Sequence, residues 1–76
     1  MKEILETLIK SLVEHTEEVT ITEKEEGKTT IFEVKVNESD MGKVIGKQGR
    51  IAKSIRTLMK SVAGKQHKKI AIEFID

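Results

Sequence analysis

The chain has no cysteine, no proline, no tryptophan and no tyrosine, and only two phenylalanines among its 76 residues. Without cysteine there is no disulfide, no thiolate metal site and no thiol nucleophile. A domain this small lies near the size at which one hydrophobic core is marginal, so packing alone must hold it. The sequence shows no linker, no internal repeat and no low-complexity segment, and it reads as one domain over residues 1–76. Apolar runs are short, because Glu6 and Lys10 interrupt the first of them. None approaches a membrane span or a signal-peptide core. The chain therefore reads as soluble and cytoplasmic, with no membrane partner. Serine and threonine are the nucleophiles that remain, and neither His15 nor His67 stands in a motif with them. No enzymatic activity and no cofactor is expected. His15 reads as the exposed end of a first helix and His67 as a loop residue. The acidic residues at Glu17-Glu18 and from Glu23 to Glu26 read as solvated turn charges rather than a metal site.

What is present is charge, and it is unevenly placed. Residues 1–40 carry five lysines against eleven acidic residues, whereas residues 41–72 carry seven lysines and two arginines with no acid. The net charge of +1 hides this contrast. A solvated basic helix would give the same pattern, so charge alone does not assign a ligand. Its position around a glycine motif adds to the argument.

Ile4, Leu5, Leu8, Ile9, Leu12 and Val13 recur with helical spacing and predict a helix over 2–14. Val19 and Ile21 alternate with Thr20 and Thr22 and predict a strand to about Glu25. Glu26-Gly27-Lys28 is a turn signal, and Ile31 to Val36 alternates strongly, so the two strands form an antiparallel hairpin. Asn37, Ser39 and Asp40 are candidate N-caps for a short helix over 40–45. Ile51, Ile55, Leu58, Met59 and Val62 mark a longer helix over 50–63, with Gly64 as its stop and a basic loop over 64–69. Ile70, Ile72 and Phe74 predict the last strand. The order α-β-β-α-α-β, with a crossover between the second and third strands, implies an α+β fold. Its three-stranded mixed sheet carries all helices on one face.

Between the two later helices lies Gly46-Lys47-Gln48-Gly49. Glycines at this spacing let the backbone turn sharply and approach a ligand without an intervening Cβ, and the flanking cations favour an anion. Two phosphate-loop alternatives fail on spacing. Gly42, Gly46 and Gly49 do not follow the dinucleotide pattern, and Gly42 to Gly46 is one residue short of a P-loop that would also need a hydroxyl where Gln48 stands. A helix-turn-helix DNA reader joins two helices by a short turn, but usually with one glycine and in a helical domain. Phe32 and Phe74 both alternate with core positions, so the chain lacks the exposed aromatics of domains that bind single strands by stacking.

The run from Met41-Gly42-Lys43 through Val44-Ile45-Gly46-Lys47-Gln48-Gly49-Arg50-Ile51-Ala52-Lys53 to Ile55-Arg56-Thr57-Leu58 resembles the KH motif of small bacterial single-KH proteins, the KhpA family. The element order resembles the type II KH topology, and the likeness covers nearly the whole chain. That resemblance implies single-stranded RNA in a narrow groove, its backbone of about four nucleotides held at the glycine turn. Gly46 and Gly49 would allow close approach, Lys47 and Gln48 would contact phosphates, and Arg50 would add charge at a helix N-terminus. Lys43 and Lys53 would flank the path, while Arg56 and Lys60 would be solvated. Ile45 and Ile51 would form either groove floor or core. Lys65, Lys68 and Lys69 would add less specific contacts from the opposite wall.

The resemblance further implies an RNA chaperone or post-transcriptional regulator. Its partners would be a second copy of the chain or a larger KH-containing protein of the KhpB (Jag) type. Two alternatives stay open from the residues themselves: a protein-interaction adaptor with a vestigial RNA site, and the helix-turn-helix DNA binder.

Overall fold

Leu5 and Ile9, one helical turn apart, are fully buried and fix the inward face of the first helix, α1 (Lys2–Leu12). The structure is a computed structural model that describes residues 1–75. After α1 come strand β1 (Thr20–Glu26), strand β2 (Thr29–Lys35), helix α2 (Met41–Ile45), helix α3 (Arg50–Lys65) and strand β3 (Lys69–Ile75). Single 3-10 turns precede β1, α2 and α3.

The alternation read from residues 31–36 places Phe32, Val34 and Val36 inside. β2 is the central strand, antiparallel to β1 and parallel to β3. The register sets Ile21 opposite Val34 and Phe32 opposite Ile72, so one face of the sheet is a continuous apolar surface. Against it pack Leu5 and Ile9 of α1, Val44 of α2, and Ile55, Met59 and Ala63 of α3. The fold is thus α+β with a mixed three-stranded sheet, as the type II KH topology prescribes. β1 and β2 join through Gly27-Lys28, where Gly27 takes φ +64°, a left-handed value that glycine adopts without steric cost.

Three boundaries differ from the sequence reading, each for a physical reason. α1 stops at Leu12, two residues early, because the amides of Glu14 and His15 donate to the Asp40 carboxylate instead of continuing the helix. Asp40 stands at the N-cap of α2 but makes no cap bond there; Asn37 caps the preceding turn, its side-chain oxygen accepting from the Ser39 amide at 2.8 Å. Gly64 does not end α3, which runs on to Lys65. The reversal comes three residues later, where the Lys68 amide donates to Ala63 O at 2.9 Å and the His67 amide to Gly64 O at 3.1 Å. That pair of bonds is a Schellman closure. Its left-handed residue is His67, with φ +57°, and the expected basic loop shrinks to Gln66–Lys68.

β3 forms one edge of the sheet. Arg56 of α3 reaches that strand, its Nε donating to Ile72 O at 3.1 Å and its guanidinium lying 5.3 Å from the centre of the Phe74 ring. Arg56 is therefore part of the α3–β3 junction and not a solvated charge. No helix among the described residues is long and apolar enough to cross a membrane.

Candidate nucleic-acid interface

Three of the four residues of the turn between α2 and α3 have unusual backbones. Gly46 closes α2 by donating its amide to Gly42 O at 2.8 Å, then takes φ +76° and ψ 175°, a region essentially confined to glycine. Gln48 and Gly49 are both left-handed, with φ +56° and +72°, and the Gly49 amide closes the turn on Gly46 O at 3.2 Å. The two glycines are needed for different reasons. A Cβ on Gly46 would lie 2.6 Å from Cγ1 of Ile51, whereas a Cβ on Gly49 would meet nothing within 4 Å. Gly46 answers to both backbone and packing; Gly49 answers to its backbone alone.

This turn presents Lys47 and Gln48 outward, both exposed, with Arg50 at the first position of α3 and Lys53 one turn on. Among the described residues none of these three cations is in an ion pair; the ion-paired lysines are Lys10, Lys24 and Lys43. The one side-chain contact within the cluster is a long one, from Arg50 Nη2 to Gln48 Oε1 at 3.5 Å. No side chain caps α3; the Arg50 amide donates to Lys47 O, and the amides that follow it add positive potential at the same place. The arrangement is a cationic, acid-free protrusion with close backbone access, suited to an extended polyanion.

Ile45 and Ile51 bracket the turn, half-buried, and both pack against the core. Ile51 also sits under Gly46 and lines an apolar cavity of about 350 Å³ between α1 and α3, with Leu8, Leu12, Ile55 and Leu58. Lys43 and Lys68 are not brought to the turn. Lys43 points toward the connector after α1, its ammonium 2.9 Å from Glu14 Oε1 and 3.3 Å from Asp40 Oδ1. Lys68 lies in the turn after α3, and a helix of that length spans about 24 Å.

Sequence reasoning missed the polar knot behind α2. Asp40 is fully buried and accepts from the amides of Glu14 (3.2 Å) and His15 (3.0 Å) and from Lys43, and it pairs with His15 Nδ1 at 3.0 Å. Burial alone would raise its pKa. The backbone amides of His15 and Glu14, with the His15 ring and Lys43, reverse that and hold the carboxyl well below the usual range. The hydrogen bond to Asp40 raises the pKa of His15 against partial desolvation, and the bond to Glu14 raises that of Lys43. His15 is thus half-buried and bonded, not the free end of a helix. Its one sequence signal was indirect: Asp40 is the last acid before the basic stretch, at the place where the chain must turn into α2.

Among the described residues no group of three or more histidine, aspartate or glutamate side chains is placed to hold a metal. The family model described as KhpA/KhpB, KH domain, matches residues 2–74. The chain is 52% identical over 75 residues to "RNA-binding protein KhpA" of Clostridium acetobutylicum, covering 99% of this chain and all of that protein. It is 47% identical to the protein of that name from Listeria monocytogenes over the full length of both. With the Aquifex aeolicus protein it shares 40% identity over all of this chain and 96% of the other. These names describe binding and not catalysis. No solved structure gives a significant match. The glycine turn, the mixed sheet and the full-length matches together make this chain a member of the KhpA/KhpB family of KH domains.

Proposed function

We propose that this protein binds single-stranded RNA, clamping the sugar-phosphate backbone of about four nucleotides at the Gly46–Gly49 turn. The observation that carries the reading is the set Lys47, Arg50 and Lys53, unpaired among the described residues, around a turn whose backbone and packing both require Gly46. Relatives named as RNA-binding proteins support it. Lys47 and Gln48 contact phosphates, Arg50 and the first amides of α3 add attraction, and Lys53 extends it. Ile45 and Ile51 hold the turn from below. Lys43, engaged by Glu14 and Asp40, acts by positioning α2.

One clamp of this size binds weakly, so useful affinity comes from several clamps in one assembly. A second copy of the chain, or a larger KH-containing protein of the KhpB type, supplies them. The exposed apolar side chains of Ile4, Leu12 and Leu58 on α1 and α3 are the surface such association would cover. The cellular role that fits is a cytoplasmic RNA chaperone or post-transcriptional regulator. The three-stranded sheet and the family argue against the helix-turn-helix reading.

The test is the double substitution Lys47→Asp with Gln48→Asp. Aspartate tolerates the left-handed backbone at position 48, so the fold is expected to persist. RNA affinity should drop on the order of 100-fold near 0.1 M salt, from two lost contacts and two new repulsions. In the parent protein, three cationic contacts predict a slope of log affinity against log salt of about −2. Unchanged binding by the double variant would sink the clamp, and a parent protein that binds no RNA would favour a protein-interaction adaptor.

A further inference from the structure

The far end of α3 carries a second basic site. Lys60 and Ala63 of α3, Thr29 of β2, Lys68 in the turn, and Lys69 and Ile70 of β3 line a cavity of about 310 Å³. Three lysines from three successive parts of the chain converge on it, and none is ion-paired among the described residues. Three like charges brought together repel one another, so the site is complementary to an anion it does not itself contain. Lys68 also borders a separate cavity with Glu3, Glu23 and Glu25, whose charges offset its own, so Lys60 and Lys69 carry the site.

The cavity is aligned with the glycine turn. Arg56 marks the face of α3 that lies along β3, through its bond to Ile72 O. Lys53 and Lys60 flank Arg56 by three and four residues, so the three side chains share that face. From Gly49 to Lys60 the helix rises about 16 Å. No aromatic side chain lines the cavity, and lysine ammoniums act as point charges without a preferred base or plane.

We infer that this cavity is a second phosphate-binding subsite for the same RNA strand, so that one chain holds a strand longer than the glycine turn alone clamps. The inference rests on the RNA-binding reading of that turn. It takes phosphodiester groups without base selection, and it turns Lys60 from a solvated charge into a contact.

The experiment measures binding of the full chain to uridine tetramers and octamers over a range of salt, for the parent and for Lys60→Ala with Lys69→Ala. Both lysines are exposed, and matching thermal melts verify that the variant folds. In the parent, the octamer slope should exceed the tetramer slope by about 1.4, from two added contacts at 0.7 each. The register statistics of a longer oligomer raise its affinity but not its salt slope. In the variant the octamer slope should fall to that of the tetramer, and the octamer should lose far more affinity than the tetramer. Inorganic phosphate at constant ionic strength should leave the length effect in place.

Equal slopes in the parent would overturn the subsite and leave the clamp standing. Equal losses on both oligomers in the variant would make the lysines walls of the four-nucleotide groove and also overturn it. Abolition of the length effect by phosphate would make the cavity a free-anion site. A parent that binds neither oligomer removes the clamp and the subsite together.

Discussion

The two ends of α2, five residues apart, treat charge in opposite ways. At the first end Asp40 is fully buried, and every charged group near it has a partner: His15, Lys43 and, through Lys43, Glu14. At the second end Lys47 and Arg50 are exposed and unpaired among the described residues. A buried carboxylate must have its acceptors filled, so the first end is a structural joint that ties the connector after α1 to the helix that feeds the turn. Exposed cations carry no such requirement. Changes at the joint should therefore act on stability first, and changes at the turn on binding.

The largest expected effect comes from breaking the joint. Asp40→Asn puts an amide NH2 against donors that now share two carboxylate oxygens, leaving one buried donor without an acceptor. Its melting temperature should fall by about 10 °C or more, as read by circular dichroism. A variant that melts like the parent would mean that Asp40 does not hold the joint.

The glycines sharpen the contrast inside the turn. Gly46→Ala meets Ile51 as well as an unfavourable backbone and should cost about 2–4 kcal/mol in chemical denaturation. Gly49→Ala faces open space and only the left-handed penalty, about 1–2 kcal/mol. Equal losses at the two positions would remove the distinction drawn between them.

A smaller effect depends on pH. His15 is raised above its usual value of 6.5 by Asp40, so its contribution is full below about pH 6.5 and fades as pH climbs through the raised value. The melting temperature of the parent minus that of His15→Gln should therefore be greatest near pH 5.5 and least near pH 8.5. A gap that widens with pH would reverse the sign of the linkage. Asp40, lowered in the folded chain, loses its contribution only in strong acid.

The smallest effect lies outside both ends and serves as a control. His67→Gly relieves a left-handed backbone at the end of α3 and should raise stability by about 1 kcal/mol. Tetramer binding should not change.

Much of the fold was legible because its signals are local. The Ile31–Val36 alternation, the stripe of α1 and Gly27 each determine geometry within a few residues of themselves. The turn of the candidate site was legible for the same reason. What escaped were polar contacts between distant segments. Asp40 meets His15 across 25 residues, and the same contact turns Lys43 inward and ends α1 early. Arg56 likewise finds its acceptor on a strand 16 residues away. Gly64 misled because a helix stop is set by which residue takes the left-handed backbone, and here that residue is His67, where the Lys68 and His67 amides close on Ala63 and Gly64.

The Arg56 bridge has a consequence for how copies of this chain behave when crowded. A three-stranded sheet has two open edges, and open edges recruit strands from other molecules into aggregates. On the β3 edge a charged guanidinium occupies the Ile72 carbonyl and shields Phe74, interrupting the ladder that an incoming strand would need. The β1 edge carries Glu23, Glu25 and Glu26 against one lysine, Lys24, which pairs with Glu33 of β2, so two copies meeting there repel one another. Charge thus guards both borders of the sheet, with no covering strand or loop among the described residues.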